Sequence, residues 1–168
     1  MSDSYKASDY NFLDAALNRH GGSMAKETAF LTVLMGAMHA DNRVRKEETD
    51  ELDALIGRVR MLHSLPEAER TQRREEIMPY MTDEKLRLDR VRLACSSILT
   101  AQKGSPPTQP ALEGLALSVF AHACDIIYTD LEVTELERQF LRELVQHLSL
   151  DHKVAANIVN VIGDKNAF

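Results

Sequence analysis

The residues best placed to do chemistry are acidic, and they come in two sets of the same form. Asp41, Val44 and Glu48 follow the pattern D-x-x-V-x-x-x-E, and Asp130, Val133 and Glu137 repeat it 89 residues later without a gap. The flanks correspond as well: Leu52 falls on Leu141, Leu55 on Leu144, Ile56 on Val145 and Val59 on Leu148. Helix physics gives the carboxylates a first task. Asp ends the leading helix or caps the turn, and Val dips back into the core. Glu stands in the first turn of the next helix, where the positive end of the helix dipole favours a negative charge. In the second set Thr134-Glu-Leu-Glu137 spells a capping box, so Glu137 has a structural task already.

Familiar chemical motifs fail on these and the remaining residues. With Asp130 as the first ligand of an EF-hand, position six is Glu135 rather than Gly and position twelve is Leu141 rather than Glu. The first set has Arg43, Arg45 and Leu52 in key places. None of the six His follows a Glu by three residues, which sets aside a di-iron bundle. No HExxH helix, GxxxxGK[ST] phosphate loop or G-x-S-x-G elbow is present. His39 lies two residues before Asp41 and His122 three before Asp125; each could join a metal site or serve only as a helix residue. Cys95 and Cys124 form no CxxC pair and read as free thiols, with Cys124 a core thiol that has no basic neighbour to hold a thiolate. With no nucleophile and base in view, the expectation is a non-enzymatic protein.

Helices must position the acidic sets. The periodicity predicts a short helix over 9–19 closed by Gly21-Gly22, then a strongly apolar helix from a Ser23 cap to about His39. The third helix carries Leu52, Leu55, Ile56, Val59 and Leu62 as one stripe. Ser64-Leu-Pro-Glu67 reads as a capping box opening a helix that ends near Pro79, and Thr82-Asp-Glu opens another reaching Gln102. Lys103–Pro110 is a linker whose Pro and Gly oppose helix. Leu112, Ala116, Val119, Phe120, Ala123 and Ile127 mark a buried helix, followed by helices over 134–148 and 151–162. No window alternates like a strand. The expected fold is an all-α bundle of about eight helices in one domain spanning 1–168. Its two pseudo-repeated hairpins, about 23–62 and 111–148, are joined by helices over 66–102 and the linker.

Composition agrees with a globular domain: 168 residues, 44% hydrophobic and 27% charged, with seven Gly and five Pro. A net charge of −6 argues against a nucleic-acid partner. The apolar stretches read as too interrupted for a membrane span, the start MSDSYKASDY does not resemble a secretory signal, and the thiols suit a reducing cytoplasm. Residues 58–92 hold nine basic and seven acidic side chains. Arg70, Arg73, Arg74, Arg87, Arg90 and Arg92 could meet an anionic protein or membrane surface, or form a solvated face with pairs such as Glu69–Arg73 and Asp83–Arg87.

MHADNRVRKEE with its Leu stripe, and IIYTDLEVTELERQFLRELVQHLSL, resemble the TerB-like family of tellurite-resistance proteins, over roughly residues 25–163. The resemblance implies an all-α cytoplasmic domain associated with resistance to tellurite and other stresses. It also implies Asp41, Glu48, Asp130 and Glu137 as ligands of a divalent metal ion, with Asp125 as a possible addition. Oxygen ligands of this kind suit calcium or magnesium. The family places Gly after Asp; here Asn42 and Leu131 stand instead. Asn tolerates the left-handed backbone that Gly supplies and Leu does not do so readily, so the second turn is expected to differ in shape.

Overall fold

The computed structural model describes residues 24–100, 109–130 and 132–167. These form an all-α bundle with eight α-helices and no strand among the described residues: α1 Lys26–Met38, α2 Lys46–Arg58, α3 Arg60–His63, α4 Glu67–Ile77, α5 Glu84–Leu99, α6 Gln109–Ile127, α7 Glu135–His147 and α8 His152–Asn166. The expected helix over 9–19, the Ser23 cap and Leu131 lie outside the described residues.

Two helices with long apolar runs form the centre. In α1 every residue from Ala29 to Met38 is buried, and α1 packs on α5 and α6. Gly36 allows the closest approach: a Cβ there would stand 2.6 Å from Val91 Cγ2 and 3.2 Å from Phe140. The start of α1 is tied down by Lys26, whose Nζ donates to the carbonyls of Ser97, Ile98 and Thr100 and so caps the open end of α5. In α6, Ala116, Val119, Phe120, Ala123, Ile126 and Ile127 are buried against α1, α2, α5, α7 and α8. Its window Pro110–Ile127 is long and apolar enough to cross a membrane, with mean hydropathy 1.3, which corrects the reading that every apolar stretch is too interrupted. Here that helix is the middle of a bundle, and α7 closes over the core with Phe140, Leu141, Leu144 and Val145.

Several boundaries differ from those read in the sequence. The stripe from Leu52 to Leu62 is broken at Val59, whose extended backbone (φ −72°, ψ 110°) separates α2 from α3 while both keep their apolar face inward. Ser64 does not cap α4; its hydroxyl bonds back to the Arg60 carbonyl, and Pro66 holds the cap position. The helix α6 begins at Gln109, inside the stretch read as linker, because a proline fits the first helical turn. Val44 is 47% exposed and does not return to the core, whereas Val133 packs partly against it.

Candidate functional site

The two acidic sets meet at one end of the bundle, where α1 leads into α2 and α6 leads into α7. Each turn is shaped by the same hydrogen bonds. Asp41 Oδ1 accepts from the Arg43 N–H at 2.9 Å, and Asp130 Oδ1 accepts from the Glu132 N–H at 3.1 Å. Glu48 Oε2 accepts from the Arg45 N–H at 2.8 Å, and Glu137 Oε2 from the Thr134 N–H at 2.6 Å. Asn42 adopts φ 64°, the left-handed conformation expected of the first turn. Arg87 reaches from α5 to hold it, donating to Asn42 Oδ1 at 2.8 Å and to the Met81 carbonyl at 2.7 Å.

The corners differ in the residue that precedes the second helix. Thr134 closes the expected capping box: its hydroxyl accepts from the Glu137 N–H at 3.3 Å and donates to Glu137 Oε2 at 2.9 Å. Arg45 has no oxygen with which to do this, so its side chain crosses to the other corner. Its Nη1 stands 2.8 Å from Asp130 Oδ2 and 3.7 Å from Glu137 Oε1, while Nη2 donates to Asp41 Oδ2 at 3.3 Å. Three carboxylates, Asp41, Asp130 and Glu137, therefore gather about one guanidinium, with Glu48 held on the Arg45 backbone N–H, and the side chain joins the corner of α1–α2 to that of α6–α7.

One positive charge does not balance four carboxylates. Glu48 and Glu137 are 1% and 0% exposed, and Glu48 Oε1, Glu137 Oε1 and Arg45 Nη1 are buried without a hydrogen-bond partner. Burial, then the charges of Glu137 and Asp41, push the Glu48 carboxyl up to about 7 against the opposing Arg45 N–H and guanidinium. Burial also raises Glu137, opposed by both Thr134 donors. Desolvation would lower Arg45, but Asp130, Asp41, Glu137 and Glu48 together hold it above its ordinary value. The donors are hard oxygens, and two of them lack a hydrogen-bond partner, which fits the chemistry of calcium or magnesium. As they stand they surround a guanidinium; among the described residues no three His, Cys, Asp or Glu side chains are grouped to hold a metal ion.

The other candidates lie apart from this cluster. Asp125 Oδ1 pairs with Lys165 Nζ at 2.7 Å, joining α6 to α8. His122 Nδ1 lies 2.6 Å from the Ser118 carbonyl and the ring packs edge-on to Phe30. His39 contacts none of the carboxylates by hydrogen bond, and burial followed by the Arg87 charge lowers its pKa. Both cysteines are fully buried and pushed up to about 12 by burial, so neither supplies a thiolate.

Most of the arginine face is committed internally. Arg73 bonds Glu69 and Thr28, Arg74 pairs with Asp53 at 2.8 Å, Arg92 with Asp89 at 3.6 Å, and Arg90 lies 4.5 Å over the Tyr80 ring. The expected Asp83–Arg87 pair is replaced: Asp83 caps α5 through the Leu86 N–H at 2.9 Å, which leaves Arg87 to the Asn42 turn. Sequence reasoning missed Arg45 and Arg87 as site residues. The one signal for Arg45 was its place at the cap position, where Thr134 stands in the other set. Compared with protein-family models, curated proteins and solved structures, the chain matches none.

Proposed function

We propose that this chain is a non-enzymatic TerB-like domain of the cytoplasmic stress response, built from two pseudo-repeated hairpins, that binds a divalent cation where its acidic corners meet. The carrying observation is the gathering of Asp41, Glu48, Asp130 and Glu137 about Arg45, with one oxygen of each buried glutamate lacking a hydrogen bond. Buried carboxylates in excess of their counter-charge are costly unless a proton or a cation neutralises them. Those four residues would hold calcium or magnesium. The ion would supply charge that ties the two corners together, a structural rather than a catalytic service. Tellurite resistance enters as the stress that the family resemblance names, with no contact to tellurite implied.

The test is the melting temperature against calcium and magnesium, since a ligand bound only by the folded state stabilises it. Millimolar divalent ion is expected to raise it, and Asp41→Asn combined with Asp130→Asn to abolish the rise. No shift with either ion would overturn the metal reading. It would favour a second reading, an interaction module for another protein or a membrane-associated complex. That reading draws on α8, where Val154 and Val161 are 42% and 67% exposed on one side.

A further inference from the structure

Three of the buried polar atoms without hydrogen-bond partners, Arg45 Nη1, Glu48 Oε1 and Glu137 Oε1, belong to this one cluster. The Arg45 side chain keeps 24% of its surface exposed although its Nη1 is buried, while the Glu137 side chain has none exposed. Arg45 thus reaches the acids from the solvent side and fits them imperfectly. A guanidinium is a wide, planar cation with five donors in a fixed fork, and here one nitrogen faces two carboxylates without an aligned hydrogen bond. Asp41, Asp130 and Glu137 stand around it at the spacing of an ion pair, and as placed no three acids among the described residues are grouped to hold one ion.

Resting on the metal-binding reading, the geometry points to Arg45 as a built-in competitor for the cation: its guanidinium occupies the junction and must swing out before Asp41, Glu48, Asp130 and Glu137 can close on calcium or magnesium. Arg45 then sets the affinity. It neutralises part of the acidic excess when no ion is bound, and its departure is subtracted from the gain on binding. The route out is short, because the side chain already borders solvent and its neighbours Arg43 and Val44 are exposed. The second corner has no equivalent, since Thr134 bonds only within its own turn.

The experiment is calorimetric titration of the native chain and of Arg45→Met with calcium and with magnesium, folding being verified by circular dichroism. Methionine keeps the aliphatic stem and removes the charge. The dissociation constant is expected to fall by about tenfold or more in the variant, because a like charge leaves the site. Should Arg45→Met fold poorly, nitrogen-15 spectra of the native chain give the same answer. The Arg45 Nη signals, held by carboxylates on two sides, are expected to return to free guanidinium rotation as the ion saturates. Native binding with an unchanged or weaker constant in Arg45→Met, or Nη signals that stay restrained in the saturated protein, overturns the competitor role and leaves metal binding standing. Absence of binding by both proteins overturns both. Binding by Arg45→Met alone supports the competitor in its strongest form and removes metal binding from the native chain.

Discussion

The two acidic corners share their backbone hydrogen bonds and differ most in charge at the cap position, Arg45 in the first and Thr134 in the second. Threonine spends its hydroxyl on its own helix, so the second corner is locally complete. Arginine leaves its helix start without a side-chain cap and carries a charge across to Asp130 and Glu137. One residue type thus makes a turn self-contained and the other makes it depend on a partner turn some 89 positions away in the chain. Helix capping alone does not predict where a carboxylate cluster will be neutralised; the reach of the residue at the cap does.

The sharpest way to break the comparison is to remove the bridge. Arg45→Ala leaves Asp41, Asp130 and the two glutamates without their cation, and stability is expected to drop by about 3 kcal/mol in urea unfolding at pH 7.5, at the low end for a broken buried pair because Arg45 borders solvent. Arg45→Thr should recover about 1 kcal/mol of that loss through a new cap. Equal stability of native chain and Arg45→Ala would mean that the bridge contributes nothing.

Next in size is the pH response. Glu48 has a folded pKa of about 7, above its ordinary 4.5, so its protonated form suits the fold. Its contribution is fully present below the unfolded value and is lost as pH rises through 7. Between pH 5 and pH 8 the loss is about 2 kcal/mol, and Glu48→Gln should flatten the stability profile by that amount. Glu137, which receives an N–H and a hydroxyl where Glu48 receives one N–H, is expected to contribute a smaller slope when changed to Gln. A steeper effect at Glu137 would reverse the ranking of the corners.

The smallest effects concern the turns. Thr134→Ala is expected to cost about 1 kcal/mol through the lost cap, without altering the Arg45 contacts. Asn42→Ala should cost about 1–2 kcal/mol, from left-handed strain and the lost Arg87 bond, and Asn42→Gly less because glycine relieves the strain. If Ala and Gly were equal at 42, backbone strain would have no part in the first corner.

Much of the bundle was readable because apolar periodicity reports burial directly: the helices around Phe30, Phe120 and Phe140 follow from spacing. Local alternatives of similar energy were not. Ser64 could cap forward or bond backward, and it bonds backward to Arg60. Val59 could continue a helix or break it, and the apolar stripe survives the break. Of the site, the paired positions of Asp41, Glu48, Asp130 and Glu137 were visible in the spacing, but their meeting at one end of the bundle is a matter of packing. Arg45 was hidden because motif reading counts it only as a residue that spoils an EF-hand. Arg87 looked like one more surface charge, and only the fold turns it inward to Asn42.

The most direct test of the shared acidic junction is calorimetry of the native chain at pH 7 with calcium or magnesium, in buffers of different ionisation enthalpy. The account predicts one ion per chain and release of part of a proton, because burial raises the Glu48 carboxyl to about 7 and it must ionise to bind. Heat that vanishes in the Asp41→Asn, Asp130→Asn double variant would complete the case. No binding heat in the native chain, or heat that the double variant retains, would contradict it.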